Sequence, residues 1–219
     1  MINSNRINFK NKHNKDTYNK WKKTILKNFN PIKTKLVGEI FRNKGDFGIA
    51  TIDVTFKLNN KIIKRAVQLE GDSVIIVPII TNKNTREKKT VMVEQFRMAA
   101  GKRTSEFPSG GVSKLNFKDQ ALLELKEETG LTIKKKDLIE LNKNLINLMP
   151  GNNFARAKFF AFYINIEQSD ISKYNNLKVG RNDQGEFIKT KIVNFKDLKK
   201  NLNASVLIGL KLSKDLKLI

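Results

Sequence analysis

The sequence contains no cysteine, one histidine and only four prolines, and these scarcities limit what the protein can be. Without cysteine there is no disulfide bond, and with His13 as the only histidine the sequence argues against a zinc site. No apolar run approaches the roughly 20 residues that cross a bilayer, and no hydrophobic signal core follows Met1. We therefore expect a soluble, intracellular protein, in the cytoplasm or in an organellar matrix such as that of the mitochondrion.

Acidic residues are also scarce relative to basic ones. The chain has 43 Lys and Arg against 21 Asp and Glu, a formal net charge of +22. The positive electrostatic field of such a protein attracts polyanions such as nucleic acid, anionic membranes and nucleotides. Lysine is much commoner than arginine, and asparagine and isoleucine are abundant, so the base composition of the genome is an equally weighted explanation of this charge. At 219 residues the chain suits one domain with an appendage.

The charge is most uneven near the N-terminus, where residues 1–35 contain one acid, Asp16, among many lysines. Tyr18, Trp21 and Ile25 recur there at helical spacing, which predicts a short amphipathic helix with basic flanks. Such a helix could dock on the rest of the protein, bind RNA phosphates while Trp21 stacks on a base, or serve as an acid-poor import segment. We favour docking for this segment, which we call the basic arm.

Beyond the arm, alternating apolar residues and turn signals predict an α/β protein. Asn59 and Asn60 separate two alternating segments and predict a hairpin turn. A polar turn over 81–87 likewise separates an apolar strand from its hairpin partner. The predicted strands are 36–42, 47–57, 61–70, 73–80, 88–97, 138–145, 157–166 and 187–194, and the predicted C-terminal helices are 197–202 and 205–215.

A further helix is predicted over 117–129, with clear boundaries in the sequence. Asn116 and Asp119 are start signals, because their side chains accept hydrogen bonds from the free N–H groups of a first turn. Gly130 is a stop signal, because glycine readily adopts the left-handed conformation that ends many helices. Apolar residues on another face of the segment would hold the helix on a core.

Three glutamates, Glu124, Glu127 and Glu128, lie on this predicted helix. Residues three and four apart share one helix face, so Glu124 projects beside the other two. Their repulsion costs about 0.2–0.5 kcal/mol per exposed pair, and a bound divalent cation would turn it into attraction. Glutamate-rich helix faces are usually solvated surface, so the spacing alone leaves a metal site and a plain surface both open.

A glycine-containing turn, from Pro108 to Gly111, precedes the helix and strengthens the metal-site interpretation. Glycine lets the backbone approach a ligand closely, and a backbone carbonyl there can join carboxylates in a ligand set made entirely of oxygen. Such a set suits Mg²⁺ or Mn²⁺. The sequence therefore predicts a divalent metal site where the turn meets the helix.

The segment 106–131 resembles the Nudix box, and the wider chain resembles the ADP-ribose and ADP-sugar pyrophosphatase branch of that family. Residues 93–97 are similar to the strand before the box, and residues 185–188 are similar to the family's late loop and strand. The turn over 106–110 is similar to the family's Glu-x-Pro-Ala-Gly motif. The resemblance covers roughly residues 36–215.

This resemblance implies a fold, a division into domains and a reaction. The fold would be the Nudix fold, an α/β/α sandwich with a mixed sheet, preceded by a small antiparallel β subdomain. Residues 1–35 would be the basic arm, 36–72 the subdomain, through which relatives form dimers, and 73–219 the Nudix domain. The reaction would be hydrolysis of the diphosphate bond of a nucleoside diphosphate sugar, which yields AMP and a sugar phosphate.

The resemblance also implies a metal site. Its ligands for Mg²⁺ or Mn²⁺ would be the backbone carbonyl of Ser109 and the carboxylates of Glu124, Glu127 and Glu128. The metal would offset the charge of the diphosphate and lower the pKa of a bound water.

Further roles follow for residues near this metal site. Glu186 would be the general base or would position the attacking water, with Glu127 as a second catalytic carboxylate. Arg97 and Glu106 would help to hold the substrate and the metal site, and the guanidinium of Arg97 would grip a phosphate or a ribose edge. A surface ion pair is the alternative interpretation of Arg97.

The chain departs from the family pattern in three places. Leu123 stands where the family has an arginine that orients the carboxylates, so Glu124 loses that support. The linker from Gly110 to the helix is one residue short and lacks the usual glutamate. Arg156 stands in a segment where relatives often carry acidic residues. These departures bear on catalysis and leave the fold expectation unchanged.

Two functional hypotheses follow from the sequence. The first is a metal-dependent Nudix hydrolase that acts on an ADP-sugar or a related nucleoside diphosphate derivative. The second is a Nudix-fold protein with weak or no catalysis, recruited to RNA or to a ribonucleoprotein such as an organellar ribosome. The retained glutamates favour the first hypothesis, and the departures together with the net charge of +22 favour the second.

Overall fold

The computed structural model describes residues 7–27, 29, 31–41, 47–180, 187–201 and 203–219. The chain divides into two compact units. The first unit comprises Met1–Asp72, Gly111–Lys114 and Asn147–Arg156, and the second comprises Ser73–Gly110, Leu115–Ile146 and Ala157–Ile219. Both units contain helices and strands, so the protein has the mixed α/β architecture expected from its sequence.

In chain order, the helices are α1 Lys12–Ile25, α2 Phe117–Thr129, α3 Gln168–Ile171 and α4 Ala204–Asp215. The strands are β1 Pro31–Phe41, β2 Gly48–Leu58, β3 Lys61–Asn82, β4 Lys88–Arg97, β5 Lys102–Glu106, β6 Ser109–Gly111, β7 Ile139–Glu140, β8 Ile146–Asn147, β9 Asn153–Ile166, β10 Lys178–Val179 and β11 Ile188–Asn194. Short 3-10 helices lie at Met98–Ala100, Lys135–Asp137, Ser172–Tyr174 and Phe195–Lys200. None of the helices in the described ranges is both long and apolar enough to span a bilayer.

The first unit is built on β1, β2 and the beginning of β3, which pair antiparallel in that order. Leu58 opposes Lys61 across the β2–β3 hairpin, and the predicted turn at Asn59 and Asn60 is confirmed. Both turn residues have positive φ angles, 47° and 61°, as a two-residue type I′ turn requires. Asparagine tolerates this left-handed conformation, which is why the sequence predicted the turn.

Helix α1 packs on this sheet through its apolar face. Asn11 caps the helix, because its side chain accepts a hydrogen bond from the N–H of Asn14. Trp21 is only 6% exposed and belongs to a core that also contains Ala50, Ile52, Val54, Leu69 and Phe154. The docking interpretation of the basic arm is therefore confirmed, and the indole of Trp21 is already enclosed by protein rather than presented for stacking on a base.

A buried carboxylate, Asp72, further ties α1 to the first unit. Its side chain is 4% exposed and accepts hydrogen bonds from Lys20 on α1, at 2.9 Å, and from Nε of Arg156, at 2.8 Å. The guanidinium of Arg156 also lies over the ring of Phe154, 4.5 Å from its centroid. Arg156, noted above as a departure from the family, thus has a structural role in neutralising Asp72.

The single histidine lies on the inner face of α1. His13 is 8% exposed, and its Nε2 lies 3.4 Å from both the backbone oxygen of Glu70 and the hydroxyl of Thr17. Burial lowers the pKa of His13 below its ordinary value, because removal from water disfavours the charged imidazolium. The neutral ring is thus part of the packing between α1 and β3.

The second unit contains the remaining sheet and the helices α2, α3 and α4. β4 pairs antiparallel with the end of β3, with β5 and with β11, and β11 pairs in turn with β10. The predicted hairpin across 81–87 is confirmed, with Thr81 opposite Lys88. The residues Val91, Met92 and Val93 in the middle of β4 have no exposed surface, so this strand lies in the core of the unit.

Helix α2 follows the sequence prediction from end to end. It spans Phe117–Thr129, and Asn116 caps it by accepting a hydrogen bond from the N–H of Asp119. Gly130 ends the helix with a φ of 73°, in the left-handed region that favours glycine. Leu125 is fully buried and holds the helix on the core of the second unit.

Three element predictions were wrong. Residues 61–70 and 73–80 are parts of one long strand, β3, instead of two strands. The predicted strand over 138–145 is reduced to Ile139–Glu140, because the side chain of Asn142 bonds to backbone groups that a longer ladder would use. The predicted helix over 197–202 is a 3-10 helix at Phe195–Lys200.

Candidate functional site

The turn before α2 holds the carboxylate of Glu128. The backbone N–H of Ser109 donates a hydrogen bond to Oε2 of Glu128 at 2.8 Å, and Glu128 is 6% exposed. A buried carboxylate that accepts a hydrogen bond from backbone stays oriented toward the turn. The contact brings Ser109, one predicted metal ligand, next to Glu128, another.

Glu124 lies against the next residue of the same turn. A Cβ atom built on Gly110 would lie 2.0 Å from the carboxyl carbon of Glu124, so only glycine leaves room for this approach. Gln120, one helical turn earlier, donates a hydrogen bond from Nε2 to Oε1 of Glu124 at 2.7 Å. Glu124 and Glu128 therefore converge on consecutive residues of the turn.

Gln120 is a site residue that the sequence analysis missed. Its amide supports Glu124, a task that the resemblance assigned to the arginine replaced here by Leu123. Leu123 is 37% exposed. The spacing of four residues between a glutamine and a glutamate on one helix was the available signal for the Gln120 contact.

The third glutamate, Glu127, is partly exposed on α2. Its backbone oxygen accepts a hydrogen bond from the N–H of Gly180 at 3.2 Å, which brings Gly180, the residue after β10, next to this helix. In the described ranges, no three acidic or histidine side chains come together closely enough to hold a metal ion. A joint role of Glu124, Glu127 and Glu128 in binding a metal ion therefore stays a prediction.

Arg97 and Glu106 bind each other across β4 and β5. Arg97 donates from Nε to Oε1 at 2.9 Å and from Nη2 to Oε2 at 2.6 Å, a two-pronged pair with a carboxylate that is only 9% exposed. Thr104, which the sequence analysis missed, adds a hydrogen bond at 2.6 Å. Burial favours a raised pKa for Glu106, but these hydrogen bonds and the charge of Arg97 lower it below its ordinary value.

Glu186, the predicted general base, lies outside the described residues. Phe187, which follows it in the sequence, is 70% exposed, and β11 begins at Ile188. The sequence-based role of Glu186 therefore stays a prediction.

The sequence and fold of this chain are similar to those of known proteins. No protein-family model matches the chain. "Nudix hydrolase 14, chloroplastic" of Arabidopsis thaliana is 26% identical to it over 168 residues, which are 72% of this chain and 54% of that protein. The chain is thus distantly similar to this Nudix hydrolase over most of its length. It spans about half the length of this curated Nudix relative.

A solved structure, described as an ADP compounds hydrolase, has the same fold. It superimposes with a TM-score of 0.56 at 16% identity, and the match covers 84% of this chain and 94% of that one. The predicted Nudix fold class is therefore confirmed. At this identity the likeness concerns the fold.

The donor atoms at the turn from Pro108 to Gly111 fit a divalent cation in their chemistry. Two carboxylates and backbone lie together there, and hard oxygen ligands are those that Mg²⁺ and Mn²⁺ prefer. The space beside Gly110 is filled by the carboxylate of Glu124 and has no room for a Cβ atom. Of the predicted ligands, Ser109, Glu124 and Glu128 lie together at this turn, and their role in binding a metal ion stays a prediction.

Proposed function

We propose that this chain hydrolyses the diphosphate bond of an ADP-sugar or a related nucleoside diphosphate derivative, giving AMP and a sugar phosphate. The observation that carries the proposal is the convergence of Glu124 and Glu128 on Gly110 and Ser109. The homology to a Nudix hydrolase and the Nudix fold agree with it.

In this proposal, the carbonyl of Ser109 and the carboxylates of Glu124, Glu127 and Glu128 hold Mg²⁺ or Mn²⁺. Such an ion offsets the negative charge of a diphosphate and acidifies a bound water. Gln120 keeps Glu124 in place through its hydrogen bond. Glu127 completes the carboxylate set from the partly exposed side of α2.

The remaining steps belong to residues that handle the substrate and its protons. Glu186 accepts the proton of the attacking water on a carboxylate oxygen, with Glu127 as the second catalytic carboxylate. Arg97 binds an oxygen of the substrate, and Glu106 holds the guanidinium in a fixed orientation through the pair already formed. The proposal includes a homodimer formed through the subdomain 36–72, with the basic arm over 1–35 and the Nudix domain over 73–219.

The test is release of AMP from ADP-ribose and ADP-glucose in the presence of Mg²⁺ or Mn²⁺. We expect Glu128→Gln to lower turnover by more than about 100-fold, because even residues that only orient metal ligands typically contribute 10–100-fold. Glu186→Gln should lower turnover strongly and leave Mn²⁺ binding, measured by electron paramagnetic resonance, unchanged.

Glu167→Gln is the matched control, since it changes an exposed carboxylate that pairs with Lys83. Its turnover should equal that of the native chain. A well-folded native chain that releases no AMP from either substrate would overturn the proposal for these substrates.

A second candidate function is supported by the net charge of +22. Here the chain would be a catalytically weak Nudix-fold protein recruited to RNA or to a ribonucleoprotein such as an organellar ribosome. The charge of the chain favours association with any polyanion, and the replacement of the family's arginine by Leu123 favours weak catalysis. Salt-resistant binding to one RNA, together with absent turnover, would favour this candidate.

A further inference from the structure

A basic cavity lies in the second unit, lined by residues of β4, β5, β10 and β11. Its volume is about 600 Å³, within the range of about 300–1,000 Å³ that is typical of small-molecule sites. Arg103, Lys178 and Lys189 supply positive charge to its wall, and the exposed ring of Phe187 supplies an aromatic surface. Cations beside an aromatic face are complementary to a phosphate beside a heterocyclic base.

The strand register brings two of these cations into direct opposition. Lys178 on β10 is the cross-strand partner of Lys189 on β11, and Lys189 is in turn the partner of Glu94 on β4. Like charges directly opposite each other in a sheet are destabilising. An anion bound between the lysines would relieve this repulsion.

The carboxylate in the cavity wall does not neutralise these cations. Glu94 accepts a hydrogen bond from Lys191 at 3.3 Å and is thus already paired with a further lysine. Within the described ranges, no ion pair is formed by Arg103, Lys178 or Lys189. The cavity therefore has an excess of positive charge that its own described residues leave unbalanced.

The cavity lies beside the helix that carries the candidate metal ligands. Gly180, in the cavity wall, donates its backbone N–H to the backbone oxygen of Glu127 on α2. The β4–β5 register places Glu94 and Arg103 on one face of that strand pair and Arg97 and Glu106 on the other. The cavity is thus distinct from the Arg97–Glu106 pair and adjoins α2.

We propose that this cavity binds the nucleotide half of the substrate, with its phosphate between Arg103, Lys178 and Lys189 and its base against Phe187. The inference rests on the proposed hydrolysis of a nucleoside diphosphate derivative, and it adds the residues that select the substrate. Its ligand class is a nucleoside monophosphate or the corresponding half of a nucleoside diphosphate.

Binding of AMP to the full chain without metal, followed by calorimetry, tests the inference separately from catalysis. Arg103→Gln and Lys189→Gln should each weaken AMP binding about tenfold, the loss of one charge-assisted hydrogen bond. Lys211→Gln, which changes an exposed lysine paired with Asp215 on α4, is the matched control and should bind AMP normally.

Two further variants separate a binding role from a purely structural one. Phe187→Leu should weaken binding of AMP and of adenosine but leave binding of inorganic phosphate unchanged, and Phe187→Tyr should restore it. Lys178→Gln should raise the melting temperature of the free chain, because it removes the opposed charge, and should reduce the further rise caused by AMP.

The outcomes distinguish this inference from the proposed function. If the native chain releases AMP from ADP-ribose while Arg103→Gln and Lys189→Gln leave the KM and AMP binding unchanged, the cavity assignment is wrong and the hydrolase proposal stands. If these variants weaken AMP binding in a chain that has no turnover, the nucleotide site stands and the hydrolase proposal fails. If native chain binds neither AMP nor phosphate, the cavity assignment is overturned.

Discussion

The backbone at Gly110 and the carboxylate of Glu124 are so close that a single methyl group has no room between them. The nearest atoms to a Cβ built there all belong to the end of the Glu124 side chain. A flexible side chain can move aside at little cost to the fold, so a larger residue at position 110 would displace the carboxylate and leave the rest of the turn in place. The residue type at position 110 therefore determines the orientation of Glu124, one of the candidate ligands.

We expect Gly110→Ala to fold normally and to lose about 10–100-fold in turnover of ADP-ribose, the effect typical of disturbing the support of a metal ligand. Turnover and Mn²⁺ affinity should fall together. Steady-state kinetics and thermal unfolding measured on the same preparation would check both parts of this expectation.

Gly38→Ala is the control for this substitution, since Gly38 also lies in a strand and a Cβ there would meet nothing within 4 Å. It should change neither turnover nor stability appreciably. Native-like turnover in Gly110→Ala would show that the position of Glu124 against the turn is not used in catalysis.

At the scale of single residues, the sequence predicted the candidate ligands but not the hydrogen bonds that hold the carboxylates in place. The spacing of Glu124 and Glu128 placed them on one helix face, and the resemblance to the Nudix box implied that this face meets the turn at Ser109. The hydrogen bonds from Gln120 and Thr104 were not predicted, because amide and hydroxyl side chains have many available partners. Only the folded geometry selects among them.

At the scale of elements, helix α1 is held by a charged cluster as well as by its apolar face. Asp72 is almost fully buried, and its two partners, Lys20 and Arg156, come from α1 and β9. A buried carboxylate with two hydrogen-bonded cations is strongly destabilised when the balance of charge is lost. The cluster thus contributes to docking that the apolar pattern alone does not specify.

We expect Asp72→Asn to lower the free energy of unfolding by roughly 2–3 kcal/mol, somewhat below the usual 3–5 kcal/mol for breaking a buried pair, because Lys20 is half exposed. Denaturant unfolding followed by circular dichroism would measure this change in the free energy of unfolding. Asp16→Asn removes an exposed partner of Lys12 on the same helix and should have an effect of at most about 0.5 kcal/mol. Equal effects of the two substitutions would contradict a stabilising role for the Asp72 cluster.

Sequence predictions were correct where the structure is determined by residues close together in the chain, and wrong where it depends on residues far apart. Helix α2 and the turn at Asn59 and Asn60 were predicted correctly, because caps and turn residues act over a few positions. The prediction of a strand over 138–145 was wrong because the side chain of Asn142 forms hydrogen bonds with the backbone of Ala157 and Phe159, which lie far along the chain. The sequence predicted separate strands over 61–70 and 73–80, whereas β3 is continuous through Gly71, which has a φ of 95°.

At the scale of the whole molecule, the charge of +22 predicts an affinity for polyanions that depends steeply on salt. We expect binding to single-stranded polyuridylate to weaken on the order of a thousandfold between about 50 and 200 mM salt, as counterion release requires. Fluorescence anisotropy of a labelled oligonucleotide would measure this slope. An uncharged oligomer of the same bases should not bind.

Local charge removal would then distinguish a diffuse field from a dedicated interface. Because α1 is docked through its apolar face, we expect changing the exposed Lys15, Lys23 and Lys27 to glutamine to weaken binding no more than changing three exposed lysines of the C-terminal region. A much larger effect of the substitutions at Lys15, Lys23 and Lys27 would indicate an RNA interface on the basic arm.

The position of Trp21 has a consequence for how this protein can be observed. It is the single tryptophan of the chain, and its indole is enclosed where α1 meets the sheet of the first unit. Intrinsic fluorescence excited at the indole band therefore reports the melting of that unit, while a calorimeter registers heat from both. Agreement between the two transition temperatures would identify one cooperative event, and a difference between them would separate the unfolding of the two units.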